Sequence, residues 1–330
     1  MEKSLYSRSH IPSLDLIRSI CMLGIVQEHF LWLCRNYNMD FVFLEAVNHY
    51  GHQGWGSVGT AVFFMVSGGA LIYNYCDSFD LKSYYISRFI KMLPVLYTTH
   101  IMFYLVMSVC NNALLYKTTK KTFFDMLIGK ALVGEWFTSV IIACYLLFPI
   151  LRFLYKRYRV LTTCVIIFAF LLNQKLLLFS CGDQWATYVN GITEFWLGMV
   201  FIDFKEKISG SKFFILLGFL IAMPGISLLF DLNGIWFYIP TIISSILLFL
   251  VLLNIRRSPK AAHNVSKCSY EIYLVHHRIM YMSFPVFAPL IVSQAQLALF
   301  FIILMSGIYC LSEKINVMND YFVRRIRALI

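Results

Sequence analysis

The sequence predicts an all-α integral membrane protein, a polytopic bundle of about ten transmembrane helices with both termini cytoplasmic. Composition is the first observation: of 330 residues, 59% are hydrophobic and 14% charged, with mean hydropathy +0.71. A soluble chain carries roughly 25% charged residues, so this one lacks the polar groups to cover a water-facing surface. The second observation is a series of long apolar runs without strand-like alternation. About 20 apolar residues cross the hydrocarbon as a helix, which satisfies its own backbone there. The third is the sorting of the 28 Lys and Arg. With the N-terminus inside, cytoplasmic segments hold about three times as many as outer ones.

Ten spans follow in order: Leu14–Leu33, Trp55–Tyr75, Leu93–Cys110, Leu132–Leu154, Arg159–Leu172, Thr187–Phe204, Phe213–Phe230, Ile235–Leu253, Ser269–Phe287 and Leu290–Leu311. The last two are joined by a tight turn around Pro285 and Pro289, and Ser180–Gly182 is loop or re-entrant. Residues 1–330 form a single membrane domain, with 314–330 a basic cytoplasmic tail lying on the inner leaflet as an amphipathic segment. Net charge is +11, but the cations are scattered over loops and do not line one face, which excludes nucleic acid as a partner. The N-terminal apolar stretch contains Arg18, Glu28 and His29 and has no small-residue cleavage site, so it is a span and not a signal peptide. The nine Cys are odd in number, lack a C-x-x-C and sit mostly within spans. They read as small apolar residues, not disulfides or metal ligands, and no metal is expected.

Ionisable groups inside spans are costly and point to function. The first span holds the densest set: Asp15, Arg18, Glu28 and His29. Asp15 and Arg18, three apart, can pair on one face. Arg18 and His29 are eleven apart, which is three turns plus about 20°, so they point the same way with roughly 16 Å between them. The bland alternative is an Arg that snorkels to lipid phosphate and a His at the outer interface. Glu28 points about 100° away from His29 and does not orient it.

Three further segments stand out. Ser67-Gly68-Gly69 puts small residues on the second span, where a helix or a ligand chain can approach closely. Arg88 and Lys91 are one turn apart, ahead of a proline at 94 suited to the first turn of the third span. They either anchor the topology or converge on a phosphate. In Ser269-Tyr270-Glu271-Ile272-Tyr273-Leu274-Val275-His276-His277, Tyr270, Tyr273 and His276 or His277 recur at helical spacing as one polar stripe.

At these residues the sequence resembles the acyltransferase-3 family, the multi-span membrane acyltransferases that O-acetylate bacterial surface polysaccharides. The resemblance runs through Leu14-Asp15-Leu16-Ile17-Arg18 to His29, Phe63-Phe64-x-x-Ser67-Gly68, Arg88-x-x-Lys91-x-x-Pro94, Trp136-Phe137 with Tyr145-Leu146-Leu147-Phe148-Pro149, and Ser269-Tyr270-x-Ile272-Tyr273-Leu274-x-His276. It departs at Lys91, where the family usually has Arg and its planar fork, and at Ile141, where many members have Glu. The sequence stops after its final span, without the extracytoplasmic hydrolase-like domain of some relatives; if that domain normally finishes the transfer, the resemblance implies transfer within the bundle or by a partner.

The resemblance implies a membrane O-acyltransferase in the cell membrane. It would move an acetyl or related acyl group from cytoplasmic acetyl-CoA, or another acyl-CoA, to a hydroxyl of a polysaccharide or lipid-linked glycan. Arg18, Arg88 and Lys91 would hold the CoA phosphates. His29 would act as general base, or as a nucleophile passing on the acyl group as an acyl-imidazole. Asp15, Ser67, Trp136, Tyr270, Tyr273 and His276 would line the path. A transporter or flippase for a lipid-linked glycan uses the same Arg, His and Tyr positions and is the alternative. Other than acyl-CoA and the glycan, membrane lipid is the expected partner.

Overall fold

The computed structural model describes residues 10–48, 54–109, 136–177, 183–229 and 238–328. Among them all regular structure is helical: α1 (Pro12–Asn36), α2 (Val42–Asn48), α3 (Trp55–Tyr75), α4 (Leu81–Val109), α5 (Trp136–Leu177), α6 (Asp183–Phe201), α7 (Ser211–Leu229), α8 (Ile239–Leu253), α9 (Lys260–Lys267), α10 (Ser269–Phe287) and α11 (Gln294–Arg327). Short 3₁₀ turns follow α6 at Ile202–Phe204 and α10 at Ala288–Leu290. Five segments are long and apolar enough to cross a membrane: Pro12–Asn36, Trp55–Tyr75, Leu81–Val106, Trp136–Gln174 and Gln294–Arg327. Ser211–Met223 and Ile239–Leu253 are shorter apolar helices. Large apolar side chains such as Val160, Phe168, Ile221, Ile302 and Ile303 are exposed, as lipid-facing residues are.

Several elements differ from the sequence expectation. α4 begins at Leu81, so Arg88 and Lys91 lie on the helix and Pro94 in its interior, not its first turn. The Thr98 hydroxyl donates to the Pro94 carbonyl at 2.8 Å, one of the local side-chain bonds that accompany a proline within an apolar helix. The expected fourth and fifth spans are two helical segments of α5 that meet at a kink, where Tyr158 leaves helical geometry (φ −136°, ψ 37°). α11 continues to Arg327, so the basic tail is helical as far as that residue. The segment Ser180–Gly182, the start of the fourth expected span and the cations at 117–130 lie outside the described residues.

The chain divides into two compact units, each taken by itself: Met1–Glu28, Phe43–Phe79 and Ala143–Ser266, then His29–Val42, Asp80–Ile142 and Lys267–Ile330. In the first, α3 packs on α6 and α8. Glycine makes the α3–α6 crossing possible, since a Cβ at Gly68 would overlap the Phe195 carbonyl and one at Gly198 the Met65 carbonyl. Small residues let helix backbones approach where lipid supplies no hydrophobic drive. Two guanidiniums from α5 close helix ends. Arg152 donates to the Tyr75 and Cys76 carbonyls at 2.5 and 2.8 Å, and Arg159 to the Val200 carbonyl at 2.9 Å and the Asp203 carboxylate at 2.6 Å.

In the second unit, α11 packs on α4 and α10. An aromatic cluster of Phe30, Phe41, Phe284, Phe300 and Phe301 fills one part of its core, with ring separations of 4.8–6.3 Å. α1 ends here with Asn38 in the left-handed region (φ 54°), and the Met39 amide bonds the Cys34 carbonyl at 2.8 Å.

Candidate active site

His29 lies on α1, where its neighbour Phe30 is anchored in the aromatic cluster. On α10, the three-residue spacing of Tyr273 and His276 puts them on one stripe of the helix. The structure brings the two elements together in the second unit. The His29 ring centre is 5.2 Å from that of His276 and 3.9 Å from that of His277, and the two α10 imidazoles are 4.5 Å apart. Tyr273 is 5.9 Å from His276, and Phe137 is 5.1 Å from Tyr273. His277 stacks on Tyr281 at 5.9 Å.

The backbone fixes the protonation pattern of His276. Its Nδ1 lies 2.7 Å from the Tyr273 carbonyl and 3.1 Å from that of Ile272. Carbonyl oxygens only accept, so Nδ1 carries the proton and Nε2 carries the lone pair. His276 is wholly buried, and its Nε2 has no hydrogen-bond partner among the described residues; the same holds for Nε2 of His277. A buried polar atom left in this state costs roughly 1–3 kcal/mol, which is unusual away from function. The arrangement can accept a proton, or a hydrogen bond from a hydroxyl, at an atom held in place by the main chain.

The remaining expected site residues are distributed as follows. Trp136 is exposed and edges onto Phe137, ring centres 6.4 Å apart. Tyr273 is buried and Tyr270 half-buried on α10. Arg88 is half-buried and Lys91 exposed, one turn apart on α4, and the Lys91 carbonyl accepts from Asn319 of α11 at 3.1 Å. In the first unit, Arg18 is 3.6 Å from Asp15, as their spacing predicts. Ser67 donates to the Phe63 carbonyl of its own helix at 2.9 Å, and the glycines beside it make the backbone crossing described above. Glu28 accepts from the Asn48 side-chain amide at 2.5 Å.

Sequence reasoning left three groups of this kind unused. His277 was one of two alternatives, yet both imidazoles face His29. Arg278, within the expected span Ser269–Phe287, is buried with its guanidinium 5.0 Å over Phe103 and 3.5 Å from His100. Glu271 is buried and accepts from Asn316 of α11 at 3.2 Å. The signal was the run His276-His277-Arg278 within an apolar stretch, since three adjacent polar residues on a helix cannot all face lipid.

A family model described as an acyltransferase domain matches residues 11–312, nearly the whole chain. No curated protein and no solved structure matches significantly.

Proposed function

The chain belongs to the acyltransferase-3 family, and on that premise we propose that it is an O-acyltransferase of the cell membrane, multi-pass and using cytoplasmic acyl-CoA, acetyl-CoA in the simplest case. The acceptor is a sugar hydroxyl of a surface polysaccharide or its lipid-linked precursor. The observation that carries this reading is His29 set against His276, whose Nε2 lone pair has no partner among the described residues.

In the proposed reaction an imidazole nitrogen of His29 takes the proton of the acceptor hydroxyl as its oxygen attacks the thioester carbonyl. The C–S bond then breaks, and the CoA thiolate takes the proton back from the imidazolium. In the two-step variant a His29 nitrogen attacks the thioester first, the C–S bond breaks and CoA leaves as the thiol with the imidazole proton; the acceptor oxygen then displaces the acyl group, its proton passing to the freed imidazole. The Nε2 of His276 accepts from a neighbouring hydroxyl of the acceptor sugar, so the reacting hydroxyl is positioned at His29 before it reacts. Tyr270, Tyr273 and Trp136 offer hydroxyls and aromatic surface for the acceptor or thioester. Arg88 and Lys91 bind CoA phosphates as a pair one turn apart.

Two experiments test the proposal. Purified protein should hydrolyse acetyl-CoA slowly without acceptor, and surface polysaccharide from cells lacking the gene should lose its O-acyl groups. Unchanged acylation together with accumulation of glycan inside the cell would favour transport of a lipid-linked glycan over acyl transfer.

A further inference from the structure

The first unit contains a second cluster with ligand chemistry. Asp15, in the first turn of α1, is 5% exposed. One of its oxygens, Oδ2, faces two imidazoles: Nε2 of His10 at 2.8 Å and Nδ1 of His263 at 2.6 Å. The other, Oδ1, accepts from the Ser266 hydroxyl at 2.8 Å and lies 3.6 Å from the Arg18 guanidinium. His263 and Ser266 are three apart on α9 and so present one face. Ser19 ties the same two helices, its hydroxyl 2.5 Å from the Ala262 carbonyl.

We propose that His10, Asp15 and His263 form a binding site for a divalent cation of the zinc class. Their donor atoms all lie within 4.8 Å of one another, and two imidazoles with one carboxylate is a set that borderline divalent ions take. Ring placement separates this cluster from the three histidines of the second unit. Two imidazoles on one tetrahedral ion, with Zn–N about 2 Å, place their ring centres about 5 Å apart. The His10 and His263 rings are 5.5 Å apart and nearly perpendicular at 84°. In the second unit His29 and His276, at 5.2 Å, keep that spacing, but His29 and His277, at 3.9 Å, are too close to share an ion in that way, so the three imidazoles do not all ligate one ion. The surroundings also fit: Ser266 and Arg18 hold one carboxylate oxygen and so aim the other at the two rings, as outer-shell groups do around metal ligands. His10 is exposed, its side chain at 59%, which leaves the fourth position open to water and to arriving ions. The ion links the residue ahead of α1 to α9, and its role is to fix that end of α1. The inference does not rest on the acyl-transfer reading.

The test uses the full chain in detergent, carried on a purification tag without histidine and stripped with chelator. Zinc is then titrated in competition with a chromophoric chelator. About one zinc per chain is expected, with a thermal midpoint that rises on addition of zinc and falls back with chelator. His263→Asn keeps an amide that can donate to Asp15 but is a poor zinc ligand, and it should weaken zinc binding at least about tenfold. His10→Ala, at an exposed position, should do the same and serves if the first variant folds poorly. His276→Asn should bind zinc as the unmodified chain does. Zinc binding unaffected by both His263→Asn and His10→Ala, absent from the unmodified chain, or lost in His276→Asn would overturn the site.

Discussion

α1 carries two polar stations of opposite character. At Asp15 both carboxylate oxygens have partners, from His10, His263, Ser266 and Arg18. At His29 the neighbouring imidazoles offer Nε2 atoms without partners among the described residues. A satisfied buried network holds a fold in one arrangement. An unsatisfied one carries a standing cost that pays off only when a substrate completes it. The first station is therefore read as structural and the second as reactive, although the sequence presents both as ionisable residues within one apolar span.

The comparison breaks most visibly at His29. His29→Ala should lower acyl transfer by about 10²–10⁴, the range of a general base, while thermal unfolding and membrane insertion stay unchanged. The measurement is release of free CoA thiol by purified protein with acceptor. A variant retaining more than half its activity would remove His29 from the chemistry and make it an interfacial residue.

Asp15→Ala should do the reverse. It leaves two imidazoles, a hydroxyl and a guanidinium without their shared acceptor, and breaking such a buried network costs about 3 kcal/mol. The half-exposed partners recover part of that from water, so a thermal midpoint lowered by several degrees is expected in purified protein. An unfolding transition as sharp and as high as that of the unmodified chain would show that the Asp15 contacts hold little.

At the reactive station, His276→Asn removes the Nε2 acceptor but keeps a small polar side chain. Activity should fall about tenfold to a hundredfold through kcat, with unchanged stability. A loss of folded protein in place of a kcat effect would make His276 a packing residue.

The smallest effects sharpen the cation reading. Arg88→Ala and Lys91→Ala should each raise KM for acetyl-CoA about tenfold with little change in kcat, because phosphates far from the reacting carbonyl give uniform binding. Lys91→Arg should be neutral or bind better, since the planar fork suits phosphate. Lower protein levels with an unchanged KM would show that both cations serve only topology.

The sequence by itself determined the class, the family and much of the element order. α3 and α10 fall at Trp55–Tyr75 and Ser269–Phe287 as the apolar runs predict, because hydrocarbon allows a long apolar segment few other structures. The Asp15–Arg18 contact was also legible, since helical spacing alone brings residues three apart together. Where Pro94 sits was not: a proline suits a first turn locally, but helix α4 starts at Leu81 and carries it inside. The nature of Ser67-Gly68-Gly69 was open between ligand and helix contact, and only the Phe195 and Met65 carbonyls across the crossing showed how close the neighbouring backbone comes. Nor does spacing tell which distant histidine meets which. His29 meets His276 and His277 across nearly 250 positions of chain, and Asp15 meets His263 from a loop-side helix that hydropathy gives no reason to notice. Hydropathy and periodicity act within a segment; the partner of a buried polar group is set by how the segments pack, and that only the tertiary structure decides.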